Sequence, residues 1–94
     1  MKVLAIEKEV EGVQDVDYLP FLEAEAREVW KLKMEDILRE AYFTDNHEAV
    51  LILECRNKEE AGELLSRLPL VQQNLISFSL YELHPYNGFE RLFH

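Results

Sequence analysis

A chain of 94 residues with a net charge of −9 at pH 7 makes one domain, and its charge argues against nucleic acid as a partner, since phosphate binding needs clustered lysine and arginine. The same charge argues against an anionic membrane surface. The single cysteine, Cys55, excludes an internal disulfide and suits a reducing compartment, so a modest core gains from association with another copy.

Val3 to Ile6 is a short apolar run followed at once by Glu7, Lys8 and Glu9. It is too short for a signal-peptide core or a membrane span, so the chain reads as a soluble cytoplasmic protein and the run as a first strand. An acidic loop carrying Gly12 leads to a helix over Leu19–Trp30, with Asp17 as N-cap and Pro20 in the first turn. Leu19, Leu22, Ala26, Val29 and Trp30 form its apolar stripe, while Phe21 and Leu32 fall off it. Leu38–Phe43 and Ala49–Cys55 read as strands. Asn57 and Glu60 make a capping-box-like start to a second helix. Ala61, Leu64, Leu65 and Leu68 give its stripe, and Pro69 ends it. Leu75–Leu83 is the last strand. The order βαββαβ predicts a ferredoxin-like α+β sandwich with a four-stranded antiparallel sheet, one domain over residues 1–94.

The third and fourth strands are apolar on both faces. Ala49, Leu51, Leu53 and Cys55 oppose Val50 and Ile52, and Ile76, Phe78 and Leu80 oppose Leu75, Tyr81 and Leu83. Two helices cover one side of a sheet, and an antiparallel sheet with one wet face alternates apolar with polar. The second side therefore calls for the sheet of another copy, packed face to face as in dimeric α+β barrels. Tyr86, Phe89, Leu92 and Phe93 make the tail, residues 85–94, too apolar for a free end. It is expected to pack on the partner subunit and close one end of a pocket.

The search for chemistry excludes more than it finds. His47, His84 and His94 have no ligand spacing and no Cys-x-x-Cys occurs, so no metal site is expected. No nucleophile elbow or phosphate-binding loop is present. His84 could serve as a lone haem ligand, although a histidine ending a strand before proline is more often structural. Proton transfer remains. Glu25 falls about 80° from the centre of the first helical stripe at 100° per residue, where partial burial would raise its pKa. Arg39 and Glu40 are adjacent in a strand, so one faces inward and needs an opposite charge, from Glu25 or a substrate carboxylate, unless both dress a wet edge strand. Trp30, Tyr42 and Tyr81 offer flat walls with polar tips, although core filling explains Trp30 equally well.

These residues give the chain a resemblance to muconolactone isomerase and its small relatives. The likeness rests on the Glu25 and Glu28 pair, Arg39, Leu68-Pro69-Leu70 and His84-Pro85, with a tail, Pro85 to Phe93, like that of the relatives. The resemblance implies a dimeric α+β barrel that can assemble further, without cofactor, and a pocket between the sheet and its helices. It implies a carboxylate on the first helix as a proton shuttle, Glu25 or alternatively Glu28, and a basic residue holding a substrate carboxylate. Trp30, Glu40, Tyr42, Tyr81 and His84 are the further candidates for substrate contact. Asp36 stands where the isomerase has a glycine turn. The expected activity is a proton shift on a small carboxylated or lactone substrate. The alternatives are a non-catalytic metabolite-binding dimer and, ranked below it, a cofactor-free monooxygenase or haem-handling protein.

Overall fold

A computed structural model describes residues 1–93, and His94 lies outside them. Strand β1 is Lys2–Glu9, followed by a one-turn helix α1, Asp15–Tyr18, a 3-10 turn, Leu19–Phe21, and helix α2, Leu22–Met34. Strands β2, Leu38–Phe43, and β3, Ala49–Glu54, precede helices α3, Lys58–Leu65, and α4, Pro69–Gln72. Strand β4, Ile76–Leu83, and a 3-10 turn, Gly88–Leu92, complete the chain. The sheet order is β2-β3-β1-β4, with every neighbouring pair antiparallel. This is the ferredoxin-like α+β sandwich expected from the order of apolar runs. Among the described residues no helix is long and apolar enough to cross a membrane.

The core lies between the sheet and α3. Val3, Ala5, Leu51, Leu53 and Ile76 from the sheet are buried with Ala61, Leu64, Leu65 and Leu68. Each such leucine removed from water contributes roughly 1.5–3 kcal/mol. Asn57 caps α3 as expected, its side chain accepting the Glu60 N–H at 2.9 Å. The reciprocal bond differs, because Glu60 accepts from the N–H of Arg56 instead of that of Asn57. Pro69 does not merely end a helix. It sits in the first turn of α4, where its missing N–H is harmless.

The first helical region corrects the sequence expectation in two respects. The cap is Gln14, and Asp17 stands three residues inside, its carboxylate accepting the Gln14 N–H at 2.8 Å. The stripe of Leu19, Leu22, Ala26, Val29 and Trp30 is not a buried face, for Leu22 is 46% and Trp30 58% exposed. Leu32, which falls off that stripe, is the buried residue of α2, at 3% exposure. The reason is packing. Leu32 joins the core cluster of Leu64, Leu65 and Leu68 while α2 packs against α4. The stripe therefore fronts a cleft instead of filling it.

An irregular register in β2 decides what else faces that cleft. Leu38 pairs with Leu53 and Glu40 with Ile52, so two residues of β2 advance against one of β3. Arg39 is the extra residue of a β-bulge, and the bulge reverses the alternation beyond it. Ala41 and Phe43 fall opposite Leu51 and Ala49 on the helix side, and Glu40 and Tyr42 fall opposite Ile52 and Val50 on the rear.

The rear face carries Leu4, Ile6, Val50 and Ile52, all half-buried, beside exposed Tyr42, Tyr81 and Leu83. Beyond β4 the tail is exposed at Tyr86, Phe89, Leu92 and Phe93, and Tyr86 packs edge-on against Phe89 at 4.9 Å between ring centres.

Candidate functional site

A cleft of about 1070 Å³ opens between α2 and the helix side of the sheet. Leu22, Ala26, Val29 and Trp30 form its helix wall. Ala41, Phe43, Ala49, Leu51, Ile76 and Phe78 form its sheet wall. Such a size suits a small organic molecule, and mostly apolar walls with a few polar groups are typical of ligand sites.

Glu25 is the polar group set deepest in this wall by the turns of α2. Its Oε1 accepts the backbone N–H of Leu70 at 2.9 Å. That N–H belongs to the first turn of α4, where no intrahelical carbonyl is available. Among the described residues the second carboxylate oxygen has no hydrogen-bond partner. Burial raises the Glu25 pKa above the ordinary glutamate value. The Leu70 bond opposes this, and repulsion from Glu7 and Glu28 adds to it. A half-buried carboxyl that holds its proton more tightly than an ordinary glutamate is suited to giving and taking a proton.

Glu7 is the second carboxyl of the cleft, and it escaped the sequence reading. Val3, Ala5 and Glu7 share the inward register of β1, so a charge in that register was the signal available. Its Oε1 accepts the N–H of Ala49 at 3.0 Å, which fixes it at the end of the β1–β3 ladder. Tyr18 lies nearby, its hydroxyl pKa raised by burial and then by Glu7, Glu9, Asp15 and Asp17 around it. Lys33 lines the far end. His47, in the β2–β3 turn with φ 62°, stacks on Phe43 at 4.4 Å between ring centres.

The structure brings Glu25 and Trp30 together in the cleft and leaves most of the other expected residues outside it. Arg39 does not face Glu25. Its Nε donates to the backbone carbonyl of Asp36 at 2.8 Å, because the bulge turns it out of the inward register. Glu40 shares the rear face with Tyr42, whose hydroxyl donates to Glu40 Oε1 at 2.7 Å. Tyr42 also borders the cleft at its β2 edge. Glu28 accepts from Lys31 Nζ at 2.9 Å and lines a separate small hollow beside Leu64 and Arg67. Tyr81 pairs with Leu4 on the rear face. His84 is exposed beyond β4 and does not line the cleft. Asp36 adopts φ 64°, the left-handed conformation glycine favours, so the turn keeps a glycine-like path despite the different residue.

No protein-family model matches the chain, and no curated protein matches it. Among solved structures it is similar to 5-chloro-2-hydroxyhydroquinone dehydrochlorinase from Burkholderia phenoliruptrix AC1100, in complex with 2,5-dihydroxybenzoquinone. The TM-score is 0.70 at 16% identity, covering 94% of this chain and 98% of that one. At that identity the likeness establishes the shared α+β fold.

Proposed function

We propose that the cleft binds a small ring molecule and that Glu25 moves a proton on it, an isomerase-type shift that calls for no metal or organic cofactor. The observation that carries this reading is the Glu25 carboxyl itself. It lines an apolar cleft, one oxygen is fixed by Leu70, and burial favours its protonated form. The likeness to a dehydrochlorinase crystallised with a dihydroxybenzoquinone supports a planar, oxygenated ring as the ligand class. Trp30, Phe43 and Phe78 supply flat walls for such a ring. The test is deuterium incorporation from heavy water into candidate lactones and cyclic enones, followed by NMR. Wild-type protein should exchange an acidic C–H, and Glu25→Gln should lower the rate by about 10²-fold or more. Equal exchange by both proteins would remove Glu25 from the role.

One observation favours a non-catalytic binding role instead. With Arg39 outside the cleft, no lysine or arginine among the described residues stands beside Glu25 to stabilise an enolate-like state, a large contribution in carbon-acid catalysis. Binding without any exchange or turnover would select this second reading.

The assembly proposed with either reading is a homodimer formed by the rear sheet faces, with the tail packing on the partner. The half-buried aliphatic residues of the rear face and the exposed aromatics of residues 86–93 support it.

A further inference from the structure

We propose that the cleft takes uncharged or cationic ring molecules and turns carboxylates away, so that its natural ligand is not an organic acid. The proposal deepens the reading of the cleft given above and rests on it. Four carboxyl side chains line the cleft: Glu7, Glu9, Asp15 and Glu25. Lys33 is the single lysine or arginine in that lining. The charges are also segregated. Glu7, Glu9 and Asp15 gather around Tyr18, where each acts on its hydroxyl. Lys33 is eight residues beyond Glu25 on α2, about 12 Å along the helix at 1.5 Å per residue. Its exposed ammonium stays hydrated at the far end. Arg39, the cation that a bound carboxylate would want, is held outside by the bulge and by Asp36. His47 also lines the cleft, stacked on Phe43. A ring seated between Trp30 and Phe78 therefore meets the carboxylates of Glu7, Glu9 and Asp15 if it carries a carboxylate of its own, and a net charge of −9 on the whole chain adds to the repulsion. A neutral ring keeps the apolar contact without that repulsion. An ammonium group finds carboxylates on several sides.

The experiment compares three probes with one two-ring body: 1-naphthol, 1-naphthylmethylamine and 1-naphthoate. Trp30 is the only tryptophan, so its indole N–H signal in a proton–nitrogen NMR spectrum reports on the cleft wall without assignment. At pH 7 and low salt the naphthoate should bind at least about tenfold more weakly than the naphthol. Raising salt from about 50 to about 500 mM should strengthen naphthoate, weaken the amine and leave naphthol unchanged. A Glu9→Gln/Asp15→Asn variant, altered at two exposed positions, should narrow the gap between naphthoate and naphthol. Naphthoate binding as tightly as naphthol, or a gap indifferent to both salt and variant, overturns the inference while leaving the cleft a ring-binding site. If none of the probes moves the Trp30 signal at millimolar concentration, the ring-binding reading itself fails and takes the inference with it.

Discussion

Glu25 and Leu70 are 45 residues apart in sequence, and the side chain of the first accepts the backbone N–H of the second at 2.9 Å. This bond ties α2 to the start of α4 at the edge of the cleft. It also makes Glu25 both a structural acceptor and an ionisable group. Two substitutions separate those roles. Glu25→Ala leaves a buried N–H without an acceptor and should cost about 1–3 kcal/mol in urea unfolding. Glu25→Gln keeps an acceptor and should not. Because the folded state holds the Glu25 proton more tightly than the unfolded chain, its stabilising contribution is complete below the ordinary carboxylate pKa of about 4.3 and is lost as pH rises through the folded value. The stability difference between Glu25→Gln and wild type should therefore shift toward the glutamine variant from about pH 4 to about pH 7. Screening at this half-exposed site keeps that shift below about 1 kcal/mol.

Glu7 tunes Glu25 through space. Glu7→Gln retains an oxygen for the N–H of Ala49 and removes the charge. Carbon-13 titration of the side-chain carboxyls should show the Glu25 pKa moving down toward the ordinary glutamate value in this variant. An unchanged Glu25 titration would mean that Glu7 does not act on it.

The two leucines of α2 should differ sharply. Leu32→Ala empties a site in the core cluster and should cost about 2–5 kcal/mol by denaturant unfolding. Leu22→Ala, on the cleft wall, should cost well under half as much. Similar costs would contradict the packing of α2 described above.

The rear face should behave as an interface. Sedimentation at micromolar concentration should give about twice the 11.1 kDa chain mass. Ile52→Lys should return the protein to a folded single chain, because a lysine at the centre of a sheet–sheet contact is desolvated without a partner. A well-folded wild-type monomer would refute the dimer.

At the turn after α2, Asp36→Gly should raise stability by about 0.5–1 kcal/mol, since φ 64° strains any residue with a Cβ and suits glycine. Thermal unfolding of the two proteins checks this.

The fold was legible because each element carries its own period: alternation in β3 and β4, and the Ala61, Leu64, Leu65, Leu68 spacing in the second helix. What periodicity cannot report is which apolar face gets covered. The Leu19–Trp30 stripe is as regular as that of α3, yet α3 buries its stripe and α2 shows its own to the cleft, because Leu32 wins the contact with the core. The position of Glu25 at the stripe's edge was legible for the same reason. Arg39 was not, since a bulge adds one residue without leaving a compositional mark. Glu7 was legible in principle, as an acid two residues beyond the inward Val3 and Ala5, but it reads as the end of an apolar run until the length of β1 is known.

The bulge at Arg39 has a consequence for how such a cavity could change over generations. Removing that one residue would leave Leu38 on Leu53, Glu40 on Ile52 and Ala41 on Leu51, so Ala41 and Phe43 would keep the inner wall, whereas straightening the strand with Arg39 retained would bring Glu40 and Tyr42 inward in their place. Losing the bulge while keeping the residue would thus replace a small apolar group and a phenyl ring with an acid and a phenol, leaving the other three strands in place. The chemistry of this hollow is therefore set by how one edge strand pairs with its neighbour as well as by the residues it carries.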